Sequence, residues 1–268
     1  HIENVCDTYK SEFSSRYPNT QVVYGSKAFA NKSIFKIILD KGLGADVVSG
    51  GELVLAIQCG IDPEKIYFHG NNKTETEYKE SGCRFVVDVR KAFFSPRLSS
   101  ERMRISELVN DGEVIVNMFG GIGMFSIIAA KKKKCTIYNI DINPDAAKFC
   151  QKNIAINKLA GNVISIHGDV SDVIRNELES KSDRTLMLLP EKSDEFLNLA
   201  ILTAKNNGII HYYSHIHADK KSDAAKLSEQ HYLEVTPVKS TILGSKIVRP
   251  VGPRFYQTVV DVKIEQKG

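Results

Sequence analysis

The period of the hydrophobic positions changes several times along the chain, and each change marks an element. Val22-Val23-Tyr24 is a short apolar run of strand type. Ser33 to Leu39 places Ile34, Ile37 and Ile38 on one helical face and closes at Lys41-Gly42. Asp46-Val47-Val48 reads as strand, Gly51 to Gln58 as helix, and Ile66-Tyr67-Phe68 as strand again. Strand–helix–strand–helix–strand at this spacing predicts parallel strands joined by right-handed crossovers. Farther on, Glu113 to Asn117 is a buried-strand pattern running into Met118-Phe119-Gly120-Gly121-Ile122-Gly123. An apolar helix, Met124 to Ala130, follows, and then a strand, Cys135 to Ile140, that ends in Asp141-Ile142-Asn143-Pro144. The four-lysine run Lys131 to Lys134 is expected to be a solvated last turn of that helix, complementing its dipole.

The class predicted is α/β. A doubly wound, Rossmann-like domain over residues 111–268 follows a linking stretch, 79–110, and a partial βα segment over 1–78. Composition agrees: 268 residues, 42% hydrophobic and 25% charged, hold enough apolar material for a core and exclude a disordered or collagenous chain. No run approaches the roughly 20 apolar residues that cross a bilayer, so no membrane span is expected. The start, His1-Ile2-Glu3, carries no basic-then-apolar leader and reads as trimmed or fragmentary. Five scattered cysteines without a CxxC pair read as reduced thiols of a cytoplasmic protein. Residues 1–78 carry a net charge of −2 and the remainder +6, which is compatible with a polyanionic partner for the later part.

The strand ends of the first part carry a specific text. Tyr24-Gly25-Ser26-Lys27-Ala28 is followed by Gly44-Ala45-Asp46-Val47-Val48-Ser49-Gly50-Gly51-Glu52-Leu53 and then by Phe68-His69-Gly70-Asn71-Asn72-Lys73-Thr74. This resembles the opening of the diaminopimelate/ornithine decarboxylase family, whose fold is a (β/α)₈ barrel that binds pyridoxal phosphate (PLP). The resemblance implies a TIM-barrel-derived segment, with Lys27 at the Schiff-base position and His69 at the position that stacks on the cofactor. Only about three of eight strands are present, and three parallel strands cannot close a barrel, so PLP chemistry at Lys27 is not expected.

Near residues 75–80 the text changes. A strand, a glycine-rich turn, a helix and a second strand closed by Asp141 form a nucleotide-binding βαβ unit: glycines let backbone approach the ligand, and the acid accepts from ribose hydroxyls. Ser126 stands where a dinucleotide binder wants its third glycine, and a later strand ends His167-Gly168-Asp169, which favours S-adenosylmethionine (SAM). The string Phe94-Ser95-Pro96-Arg97-Leu98-Ser99-Ser100-Glu101-Arg102, with Gly208-Ile209-Ile210-His211-Tyr212-Tyr213 later, resembles the archaeal/eukaryal tRNA (guanine-37-N1)-methyltransferases from about Lys79 to Ile264. The resemblance implies tRNA as partner and Glu101 as general base, with Arg97 and Arg102 placing substrate and cofactor. It also implies Phe93 and Phe119 flanking SAM, Asp141 with Ile142 at the ribose, and Asp169 with Val170 at the adenine. Gly120, Gly121 and Gly123 form the turn beneath the cofactor, and Leu188 and Pro190 belong to the catalytic strand end. From its neighbours alone, Glu101 in Ser-Ser-Glu-Arg is an ordinary surface glutamate in the first turn of a helix.

Two departures stand out. The family's catalytic strand ends Asn-Leu-Pro, whereas this chain has Leu188-Leu189-Pro190, and leucine offers the target base no hydrogen bond. Losing one such bond commonly costs ~10² to 10³ in rate, so impaired catalysis, or a module that only binds SAM or RNA, is an alternative. Asn117 stands where the family usually has Asp, which keeps hydrogen bonds and removes a charge. A wybutosine-type aminocarboxypropyltransferase on the same scaffold is a further alternative, and a PLP-dependent decarboxylase fragment the last. His211, His215 and His217 have no carboxylate or cysteine at ligand spacing, so no metal site is expected.

Overall fold

The first helix of the molecule carries a sparse apolar stripe, Ile2, Val5, Cys6, Tyr9 and Phe13, in an otherwise polar sequence. In the computed structural model, which describes residues 2–17, 20–68 and 74–265, α1 (Ile2–Arg16) buries only Cys6 among its described side chains. The chain forms two compact units: residues 1–78 with 86–90 and 94–97, and residues 79–85 with 91–93 and 98–268.

In the first unit, β1 (Val23–Gly25), α2 (Lys32–Asp40), β2 (Gly44–Val47), α3 (Gly50–Cys59) and β3 (Ile66–Phe68) follow the expected order. The three strands pair in parallel in the order β1-β2-β3. Local chemistry sets the helix ends. Asn31 caps α2 by accepting from the Ile34 amide, Ser49 caps α3 by accepting from the Glu52 amide, and Gly60 ends α3 at φ 97°. Ile34, Phe35, Ile38, Ala45, Val47 and Ala56 form the core between helices and sheet. Beyond it, β4 (Glu75–Glu80) and β5 (Cys83–Asp88) form a two-stranded sheet joined by Ser81 and Gly82, both at positive φ as a tight hairpin requires.

The second unit is a seven-stranded sheet with helices on both faces. Its elements are α4 (Ser99–Leu108), β6 (Val114–Asn117), α5 (Met124–Lys132), β7 (Thr136–Asp141), α6 (Pro144–Ala155) and β8 (Asn162–His167). They continue with α7 (Val170–Val173), which runs on as a π-helical turn to Leu178, then β9 (Ser182–Met187), α8 (Ser193–Thr203) and β10 (Ala204–His217). The last three are α9 (Ala224–Val235), β11 (Ser240–Gly252) and β12 (Phe255–Ile264). The strand order is β11-β12-β10-β9-β6-β7-β8, with β8, β7, β6, β9 and β10 parallel and β12 antiparallel between β10 and β11. Parallel strands covered on both faces read as continuous apolar runs, which is why Val114-Ile115-Val116 was legible as one. All five cysteines are free thiols, and no helix among the described residues is long and apolar enough to cross a membrane.

Candidate active site

In the second unit the chain winds one way from β6 to β7 and β8, and the other way to β9 and β10. Open α/β sheets hold ligands at the carboxyl ends of the strands where the order reverses. A cavity of about 370 Å³ lies there, walled by Met118 and Phe119 after β6, Asp141 and Ile142 at the end of β7, and Gly168, Asp169 and Val170 after β8. Leu189 and the start of α8, including Glu195 and Phe196, close it beyond β9. A larger hollow in the first unit, about 530 Å³ between α1 and β1, has no charged side chain in its wall. Apart from Cys6, Tyr9 and Tyr24, its side chains are hydrocarbon.

Two glycines of the turn from β6 into α5 have no room for a side chain. A Cβ on Gly120 would stand 2.2 Å from the Asn139 side chain, and one on Gly123 would stand 2.6 Å from the Cys150 sulfur. Gly121 and Gly123 also adopt φ +54° and +87°, a region that disfavours residues with a Cβ. Gly121 N–H donates to Asp141 at 2.7 Å, and the Asn143 amide donates to the other Asp141 oxygen at 2.9 Å, so the acid is held at the tip of β7. Beneath the turn, Asn117 Nδ2 donates to Ser126 Oγ, and Ser126 donates to Asn139 Oδ1 at 2.6 Å. Asn117 Oδ1 is fully buried with no hydrogen-bond partner, an acceptor left over under the cradle. Asp169 caps α7 through the Ser171 amide at 2.7 Å, and Phe119 meets Phe196 edge to face at 5.0 Å. Phe93 is 78% exposed, and its carbonyl lies beside Gly121. Glycine cradle, paired acids, aromatic wall and leftover acceptor fit an adenosyl group with a charged amino-acid tail.

Glu101 is not the surface residue that its neighbours in sequence suggest; it is 2% exposed in the first turn of α4. Its carboxylate accepts from Arg104 at 2.6 Å, from the Tyr213 hydroxyl of β10 at 2.7 Å, and from Lys246 of β11 at 2.9 Å. Burial on its own would raise its pKa, but the bonds from Arg104, Lys246 and Tyr213 outweigh it and hold the carboxyl below its ordinary value. The parallel register pairs Tyr212 with Met187, so Tyr213 stands level with Leu188, the first residue past β9. Leu188 and Pro190 are both half-buried, and Pro190 opens a short 3₁₀ turn.

Arg102 is buried, with two bonds of 2.7 Å to Glu80, and its guanidinium lies 5.7 Å from the centre of the Phe125 ring. Arg97 belongs to the first unit, where its guanidinium lies against Gly60 at the end of α3. Lys27 is exposed on a 3₁₀ turn after β1, beside Ser26, which donates to the Glu52 carboxylate. His69 lies outside the described residues. His211 is wholly buried in β10, whereas His215 and His217 of the same strand are exposed. Sequence reasoning missed Met118, Leu189, Glu195 and Phe196 as cavity walls. The first two neighbour residues it had selected, and only topology brings α8 to the crevice. It quoted Tyr213 only within the Gly208–Tyr213 string and passed over Lys246, because 112 and 145 positions separate them from Glu101.

Comparison with known proteins places these observations. Residues 76–235 match the TRM5/TYW2 methyltransferase domain, and residues 1–117 match the pyridoxal binding domain of the pyridoxal-dependent decarboxylases. The tRNA (guanine(37)-N(1))-methyltransferase Trm5b of Pyrococcus abyssi is 39% identical over 75% of this chain and 59% of that protein. Its counterpart in Methanocaldococcus jannaschii is 40% identical over 74% and 54%. The tRNA(Phe) (4-demethylwyosine(37)-C(7)) aminocarboxypropyltransferase of M. jannaschii is 36% identical over 72% and 77%. The chain thus spans less than two thirds of the length of the Trm5b relatives. Among solved structures, M. jannaschii TYW2 in complex with AdoMet aligns with TM-score 0.63 at 34% identity, covering 74% of this chain and 89% of that one. The complex of aTrm5 and tRNALeu aligns with TM-score 0.63 at 30% identity, covering 96% and 78%.

Proposed function

The chain belongs to the TRM5/TYW2 family of SAM-dependent methyltransferases, and from that premise we propose that it methylates N1 of guanine 37 in tRNA with Glu101 as general base. The observation that carries this reading is the buried, ionised Glu101 carboxylate, hydrogen-bonded to Tyr213 at the level of the β9 terminus. When bound, SAM supplies an electrophilic methyl group. Asp141 is suited to accept from its ribose hydroxyls and Asp169, with Val170, to hold its adenine, while Phe119, Ile142 and Phe93 offer apolar faces. Backbone at Gly120, Gly121 and Gly123 can approach it without a Cβ in the way.

Guanine N1 carries a proton at neutral pH, so a base beside it must accept that proton as the methyl arrives. Arg104 and Tyr213 fix the carboxylate, and Lys246, whose side chain is 41% exposed, is the donor best able to swing aside for the base. Arg102, locked to Glu80, stiffens the first turn of α4 that carries Glu101. The experiment is incubation of the purified chain with SAM and a tRNA bearing guanine 37, with the product located by mass spectrometry. One methyl on that base is expected, and Glu101→Gln is expected to lower the rate by ~10² to 10⁴. A Glu101→Gln protein as fast as the parent overturns the assignment. The aminocarboxypropyltransferase relative at 36% identity favours a second reading, transfer of the larger group of SAM, which the product mass distinguishes.

A further inference from the structure

We propose that His211 and Asp261 are positioning residues that hold Arg104, and through it the Glu101 carboxylate, in the orientation the reaction needs; the proposal rests on the reading of Glu101 as base. His211 and Asp261 face each other across the β10–β12 ladder. The ring Nδ1 and Asp261 Oδ1 are 2.5 Å apart, and ring Nε2 lies 2.7 Å from Arg184 Nη1. A guanidinium can only donate, so Nε2 is the acceptor and the proton sits on Nδ1, which donates to Asp261. Both ring nitrogens are thereby engaged, and a metal would find no lone pair on His211. Arg184 is itself fixed by Glu113 at 2.8 Å and by the Leu108 carbonyl at 2.8 Å.

Asp261 passes this order on. It accepts from Arg104 Nη1 at one oxygen and from Arg104 Nη2 at 3.3 Å at the other, while Arg104 Nε and Nη2 reach Glu101 at 3.0 and 2.6 Å. Glu113, Arg184, His211, Asp261, Arg104 and Glu101 therefore form one string across β9, β10, β12 and α4, with charge alternating around a neutral imidazole. A guanidinium gripped by one carboxylate pivots; gripped by two, it is fixed in its plane. None of these six residues lines the described wall of the 370 Å³ cavity, so their removal is expected to leave cofactor affinity alone. A small misplacement of a base costs rate rather than binding.

The test compares Asp261→Asn, His211→Leu and His211→Asn with the parent and with Glu101→Gln in the full chain. Asparagine keeps an N–H near the Nδ1 position; leucine does not. Asp261→Asn and His211→Leu are expected to lower kcat roughly tenfold with KM for SAM within about twofold, and His211→Asn to recover most of the loss. Equal rates for His211→Leu and His211→Asn, or parent kcat in Asp261→Asn, overturn the proposal. A readout without turnover covers the case in which a variant fails to fold. Nitrogen-15 spectra of the histidine-labelled parent are expected to show His211 neutral with its proton on Nδ1, and a proton on Nε2 overturns the proposal. Should Glu101→Gln methylate as fast as the parent, the base assignment fails, while the His211 spectrum still reports on the string independently.

Discussion

Gly120 and Leu188 show how differently two single positions can matter. At Gly120 the constraint is steric: an added methyl would overlap Asn139, which is locked into the buried Asn117–Ser126–Asn139 cluster and cannot retreat. Gly120→Ala is expected to lower stability by about 1 to 3 kcal/mol and to weaken SAM binding at least tenfold, measured by denaturant unfolding and calorimetry. At Leu188 the constraint is chemical. Leu186 pairs with His211 on one side and Asn117 on the other, so strand alternation directs position 188 to the sheet face that carries Tyr213 and Glu101. Leu188→Asn there is expected to raise the methylation rate by ~10², and an unchanged rate would show that another residue limits turnover. The glycine turn and the acid at the end of β7 were legible because local backbone geometry dictates both. The partners of Glu101 were not, since Tyr213 and Lys246 meet it only through the pairing of β10, β12 and β11.

At the level of elements, β10 carries the most buried chemistry. It is buried without a break from Ile210 to Ser214, and His211 looks like any strand histidine until β9 and β12 bring Arg184 and Asp261 to its two nitrogens. Burial holds the His211 pKa below 6.5, with the Arg184 and Arg104 charges adding to the effect and Asp261 opposing it. Below pH 6.5 the unfolded chain therefore takes up a proton that the folded chain refuses, and stability falls as pH falls. Stability is therefore expected to fall between about pH 7.5 and 5.5, and His211→Asn is expected to abolish that component in urea unfolding. Asp261, Glu101 and Glu113 are shifted down as well, so their contributions hold above about pH 4.5 and are lost only at lower pH. The element that sequence reading passed over, α1, failed for the opposite reason. Its apolar residues Ile2, Val5, Cys6, Tyr9 and Phe13 recur at helical spacing, but they are few among polar neighbours and only Cys6 is buried, so the pattern is easily passed over.

For the whole molecule, the change of text near residues 75–80 coincides with a change of family, although the decarboxylase match runs on to residue 117 and overlaps the methyltransferase match from residue 76. The first unit keeps the strand–helix order of its resemblance but closes no barrel: β1 and β3 are the two edges of a three-stranded sheet, and Lys27 stands exposed beyond one of them. The second unit holds all the cavity walls and every member of the string from Glu113 to Glu101. Cofactor affinity is therefore expected to reside in that unit alone. A chain of residues 74–268, which retains the β4–β5 hairpin and the Glu80–Arg102 pair, is expected to bind SAM within about threefold of the full-length chain by calorimetry. A fall of a hundredfold would mean that groups in residues 1–73 complete the site. Unchanged affinity with lost methylation would instead assign those residues to holding the tRNA, a role for which their eight basic and eight acidic side chains supply no net attraction to phosphate.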